Sequence, residues 1–370
     1  MLAGGGLSVS DVASVVGSTG AGDVLTLLNG AAVAVSAIES VIGSTDTADH
    51  VTLSTHGNLS VSSVESVTGS GNTGSSGDVL TLLDGTALSV AGVASVIGSS
   101  GTADVVTQTT QDTTLAVSAV ETVVGAGGSA DALQLLVGGA IAVSDVDRVL
   151  GSNAADVVTM LDNGTLEVSA VDTVIGASGA DELRLLGAGA VTVSDIESVR
   201  GSTGTDVLTL LTGAAITVSG VETVIGSTDV TDAVTLANAG TIAVSGVETV
   251  TGAGGTADTV RLLATGTLAV SDIDSIIGST GADTLALLAD SNVAVSTVET
   301  VLGSSGTDVV HLLTSAALSL SDVETVVGGL GATDAVTLLA SGTLNISQVE
   351  TVTGTGETTD HVVMLSAGAL

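Results

Sequence analysis

GSTGADTLAL occupies residues 278–287, and a near copy, GSTGTDVLTL, occupies residues 201–210. A glycine, a short polar loop, one aspartate and then alternating apolar residues make up the signature. Outward from it, the pattern L-x-V-S-x-[VI]-[ED]-[ST]-[VI]-x-G, loop, D-x-[LV]-T-L-L-x-x-G recurs fourteen times, every 25 to 29 residues. One slot of its serine column is filled by Ala91. From that slot to the following glycine the distance is always seven, whereas Gly to Asp varies from five (Gly278 to Asp283) to nine (Gly69 to Asp78). Surface loops tolerate insertion and stacked elements do not, so Gly-to-Asp is the loop and the remainder is stacked structure.

The segment after each Asp alternates with period two, which marks a strand with one buried face. Leu or Val stands two residues after every Asp, and Leu or Met four after in all units but that of Gln108. A second strand follows, with Leu268 and Val270 as one instance of its apolar pair. The third segment, SDIDSIIG at 271–278, fits a short bent strand or one helical turn opened by a Ser-x-x-[ED] box. No unit of about 25 residues buries its own apolar face, but stacked units do. The sequence therefore predicts an all-β fold, a parallel β-solenoid or β-helix of about fourteen coils with roughly three short strands each. Residues 1–6 are expected as an N-terminal tail and 7–370 as one continuous repeat domain without caps.

Composition agrees. The chain of 370 residues has no Trp, Tyr, Phe, Pro or Cys, so its core must come from Val, Leu, Ile and Ala. A narrow core accepts ladders of branched aliphatics more easily than aromatic rings. The net charge of −36 repels nucleic acid and anionic lipid and attracts cations. No apolar run reaches the ~20 residues of a membrane-spanning helix, and no basic leader follows Met1.

Two acidic columns hold most of this charge. Asp ends the loop in all fourteen units, and Glu or Asp follows the serine slot by three residues in twelve, Glu39, Asp147 and Glu299 among them. In a solenoid with one unit per turn, like residues lie ~4.8 Å apart. Carboxylates at that spacing repel by roughly 3–4 kcal/mol at an effective dielectric near 20. Hydrogen bonds from loop amides to each Asp, with the glutamates in solvent, are one way to offset this. A hard cation such as calcium, which takes several carboxylate and carbonyl oxygens, is the other.

GSTGADTLA at 278–286, GASGADELR at 176–184, GSTGTDVLT at 201–209 and GSSGTDVVH at 303–311 resemble the nonapeptide G-G-x-G-x-D-x-U-x of RTX-type (repeats-in-toxin) calcium-binding proteins. The resemblance implies calcium held between turns of a parallel β-roll, and places metal ligands at Asp181, Asp206, Asp283 and Asp308. Ser or Ala replaces the second glycine of that motif here, and the motif occurs once per unit rather than in tandem.

Catalytic chemistry finds no home in the repeat. The arginines at 148, 184, 200 and 261 and the histidines at 50, 56, 311 and 361 form no sequence cluster, and no cofactor motif is present. A threonine column three residues after Asp, including Thr26, Thr209 and Thr337, raises ice binding as a minor alternative, but Arg184, Arg261 and His311 interrupt it. Leu370 falls on the same repeat position as Leu7, which suggests end-to-end stacking of copies. The sequence thus points to a non-enzymatic, secreted or cell-surface bacterial protein: a fibre, surface-layer or adhesin-stalk component that stacks on itself. A calcium-responsive folding domain is the alternative.

Overall fold

A computed structural model describes residues 4–20, 22–46, 48–71, 77–85, 87–101, 104–228, 231–255, 257–314, 317–329 and 333–365. Leu370, whose repeat position suggested end-to-end stacking, lies outside these residues. The chain divides into two compact units, Met1–Gly187 and Ala188–Leu370. Each is an all-β parallel solenoid with no helix among the described residues, and each contains 21 strands.

In both units the chain alternates between two sheets, and every strand pairs in parallel with the next strand but one. In the first unit, Val24–Leu27 lies on Gly6–Val9 in one sheet, while Ala32–Ser36 lies on Ser14–Val16 in the other. A turn is therefore two strands, not the three expected. Three strands per sequence unit is correct, so one unit makes one and a half turns and two units make three. Fourteen units accordingly give about half as many turns again as the fourteen coils expected.

The third segment resolves as a strand, for example Ser40–Ile42 or Ser275–Ile277. What bends the chain into it is the residue after the serine slot. All fourteen residues there have positive φ: eleven are non-glycine, such as Ala37 (50°), Asp145 (52°) and Thr297 (52°), and three are Gly92, Gly220 and Gly246. This left-handed residue reverses the pleat, so that the apolar residue beside it, Ile38 or Ile273, turns inward and is buried.

Between the sheets lies a core one or two side chains thick. The five-residue strands before the left-handed corner bury their second and fourth residues, and those that open on Asp156 and Asp206 bury their first, third and fifth. Each three-residue strand buries its middle one, apart from the last of the chain, Thr351–Thr353. One column of the first unit runs Leu7, Leu25, Val41, Val61 and Leu82 over five successive turns. These five come from five different positions of the sequence unit, because the repeat and the turn are out of step. Any branched aliphatic must then fit beside any other, which explains why Val, Leu and Ile interchange freely. Gln108 breaks the pattern: it is buried, donates to Thr113 Oγ1 at 3.2 Å, and leaves its Oε1 without a partner.

Candidate functional site

The acidic columns sit at the solenoid edges, where the step of one and a half turns governs their spacing. Consecutive loop aspartates fall on opposite edges: Asp23, Asp78, Asp131 and Asp181 lead into one sheet of the first unit, and Asp49, Asp104 and Asp156 into the other. Like carboxylates on one edge are thus three turns, ~14 Å, apart. That exceeds the Debye length at physiological salt, so the mutual repulsion is roughly 0.3 kcal/mol even unscreened in water. The large repulsion expected within each column from one unit per turn does not arise.

Between successive aspartates on an edge come two other corners. A groove of about 250 Å³ in the first unit shows all three kinds together: the Gly127–Gly128 loop, the left-handed corner at Asp145–Asp147, and the turn at Asp162–Gly164. The aspartates join their neighbours through carboxylate, N–H and carbonyl, although Asp360 Oδ1 is buried without a partner. Thirteen of the fourteen are buried, at most 2% exposed. In every unit Oδ2 accepts the N–H of the residue after the glycine, at 2.5 to 2.8 Å. Where that residue is serine, its hydroxyl often donates as well, as Ser202 and Ser279 do at 2.9 Å. In ten units Oδ1 accepts an amide from the preceding turn, such as Gly57, Gly164 or Ser291.

The second acidic column completes the joint from the following turn. In eleven units the aspartate N–H donates to that column's carboxylate at 2.7 to 2.9 Å, Asp283 to Glu299 being one case. The aspartate carbonyl in turn accepts amides from the same corner: Glu299 and Thr300 donate to Asp283. This is the reciprocity of a helix capping box, built between turns. The loop-amide bonding considered from sequence is found, but these glutamates are engaged with the main chain rather than extended into solvent.

The glycine before each loop follows from the same joint. Gly278 N–H donates to Ser296 O of the next corner at 2.8 Å, and a Cβ there would lie 1.8 Å from Thr297 O. Only glycine allows the left-handed corner to seat on the loop.

Asp181 lies in the first unit, bonded by Ala177 and Gly164 amides at 2.7 and 3.0 Å. In the second unit, Asp206 and Asp308 lead into one sheet and Asp283 into the other. Each accepts from the serine that follows its glycine, and from Gly189, Ser291 or Gly266. Asp206, Asp283 and Asp308 are not brought together within the second unit. Among the described residues no group of three or more His, Cys, Asp or Glu is placed to share a metal ion. The donors around each carboxylate are N–H and O–H groups, the complement of an anion, rather than the oxygen cage of a hard cation. As arranged, these carboxylates face donors rather than further oxygens, and calcium rests on the acidic columns and the resemblance read from the sequence.

The hydrogen bonds also act on acidity. Asp23 is held below the ordinary 3.8, chiefly by the Ser18 main-chain amide and then its hydroxyl, with burial opposing.

One cluster was not visible in the sequence. Arg148, Glu167 and Arg184 stack on three successive strands of the first unit. Glu167 takes Arg148 Nε at 3.0 Å, and Arg184 pairs with Glu182 at 2.8 Å, which raises the arginine's pKa. These arginines, 36 residues apart, looked scattered because they occupy different positions of the sequence unit. Such exposed pairs contribute little stability. The comparisons name no relative: no protein-family model, no curated protein and no solved structure matches this chain.

Proposed function

We propose that the chain is a structural, self-associating solenoid without catalytic activity, a component of an extracellular bacterial fibre, surface layer or adhesin stalk. One observation carries this reading. The buried aspartate ties the turn before, its own loop and the turn after, so both acidic columns are engaged in stacking. A main-chain ladder repeated at every turn offers a second copy the same complement end to end.

Calorimetry and electron microscopy of one sample, with EDTA and then with calcium, test the proposal. Filaments that survive EDTA, with a melting temperature unmoved by calcium, are the expected result. A chain unfolded in EDTA that folds when calcium is added would replace this reading with a calcium-responsive domain. A folded chain that forms no filaments in either condition would overturn the self-association.

A further inference from the structure

The two sheets of the second unit have different outer faces. Eleven strands form the sheet beginning with Gly189–Ser194, whose outer face carries Arg261, His311 and His361. Ten form the other, beginning with Ser198–Arg200 and ending with Thr351–Thr353. Its outward residues are Thr, Ser and Ala throughout, apart from Arg200 and Leu302. The residues Arg261 and His311 that break the threonine column in sequence both fall on the eleven-strand sheet. Freed of them, an unbroken hydroxyl file runs along the last six of the ten strands through Thr267, Thr284, Thr300, Ser319, Thr337 and Thr353.

We propose that this ten-strand face pairs with the same face of a second copy. Two arguments select a copy as the occupant. The first is charge. In a chain of net charge −36, the outward strand residues of this face include no carboxylate and one cation, Arg200 on its end strand, so its centre can meet itself without like-charge repulsion. A hydroxyl both donates and accepts, which makes such a file self-complementary in a two-fold, isologous contact. The second argument is area. Ten strands at ~4.8 Å, each three to five residues long at ~3.3 Å, present roughly 500–800 Å². Two copies then bury about 1,000–1,600 Å², the range of a specific interface. Small side chains also let the two sheets approach closely. The contact is lateral and does not depend on end-to-end stacking, so either can fail alone.

The chain has no cysteine, so an introduced thiol is unique. Thr284→Cys places it mid-face, and Thr259→Cys places it at the same repeat position on the eleven-strand sheet. A short bis-maleimide is expected to join copies of Thr284→Cys and to leave Thr259→Cys single. In sedimentation, Thr284→Arg should weaken pairing by at least about tenfold with circular dichroism unchanged, while Thr259→Arg should not. If Thr284→Arg fails to fold, the cross-linking pair still decides. Equal cross-linking of the two cysteine variants, no cross-linking of Thr284→Cys, or pairing that survives Thr284→Arg would each overturn the proposal. So would an unpaired chain that slows ice growth, because the hydroxyl file would then serve ordered water rather than a copy.

Discussion

The chain rounds one edge between Gly43 and Asp49 with a loop whose counterparts differ in length. It rounds the other between Ser36 and Glu39 with a corner whose length never changes. The loop is closed by a side chain: Asp49 reaches the Ser44 amide and hydroxyl and the Ala31 amide. Residues between the glycine and the aspartate can be added without moving those contacts. The corner is closed by the backbone, at a residue held left-handed at Ala37. One extra residue there would reverse the inward and outward faces of the next strand. Stability at the loop rests on a buried carboxylate, and at the corner on tolerated backbone strain. Substitutions at each should separate the two.

The glycine where loop and corner meet should give the largest effect. A Cβ on Gly151 would lie 1.8 Å from Ala170 O, with Asp156 Oδ2 at 2.9 Å. Backbone atoms cannot yield to it, so Gly151→Ala is expected to destabilise by more than about 4 kcal/mol. Gly57→Ala, where a Cβ meets nothing within 4 Å, should change stability by less than about 1 kcal/mol. Urea unfolding of the two variants measures both. Equal midpoints would mean that corner and loop do not bear on each other.

Next comes the carboxylate. Asp206→Ala strands the amides of Ser202 and Gly189 and the Ser202 hydroxyl. These donors are part-buried, so each costs no more than the low end of about 1–3 kcal/mol when left unpaired, and a loss near 3 kcal/mol is expected. Asp206→Asn keeps an acceptor and should lose roughly half of that. Amide hydrogen exchange at Ser202 and Gly189 should quicken first. Should calcium rather than the amides neutralise this column, wild-type stability would instead fall on chelation.

Why the sequence showed the loop better than the corner is a physical matter. Variable Gly-to-Asp lengths expose the loop, and fourteen aspartates expose its closing group. The left-handed corner has no such mark, because Asp, Ala, Ser, Thr, Gln and Gly all occupy it. That residue decides whether the chain needs two strands or three to complete a turn. Without it, the unit of sequence was equated with the turn. The spacing of like charges, the alternation of edges and the sorting of Arg261 and His311 onto one face all depend on that missing half-turn. The first two strands of each unit and their buried apolar columns needed only the period-two pattern, whereas the third, Ser275–Ile277 for example, is open in sequence between strand and helical turn.

Relaxing the strained corner should produce a smaller gain. A non-glycine residue in the left-handed region costs roughly 1–2 kcal/mol, and glycine returns part of this through the freedom of the unfolded chain. Ala37→Gly is therefore expected to stabilise by about 0.5–1 kcal/mol. Gly220 and Gly246 already occupy the same position, and the reverse change, Gly220→Ala, should cost about as much. Thermal unfolding of the pair checks the symmetry. A loss on Ala37→Gly would show that the alanine methyl contributes more by packing than the backbone loses by strain.

The smallest effect concerns protons at the aspartate edge. Hydrogen bonds from Ser18 and Gly5 hold Asp23 below the ordinary value of 3.8. A carboxylate depressed on folding stabilises the folded state above its unfolded value, and that contribution is lost as pH falls through the folded one. Asp23 should therefore add constant stability from neutral pH down to about 4, and surrender it at lower pH. Titrating its carboxyl carbon by NMR should place the midpoint below 3.8. Ser18→Ala removes the hydroxyl but keeps the amide, the larger of the two causes, so it should return the midpoint only part of the way. A full return would assign the depression to the side chain, and with it the closure of this loop.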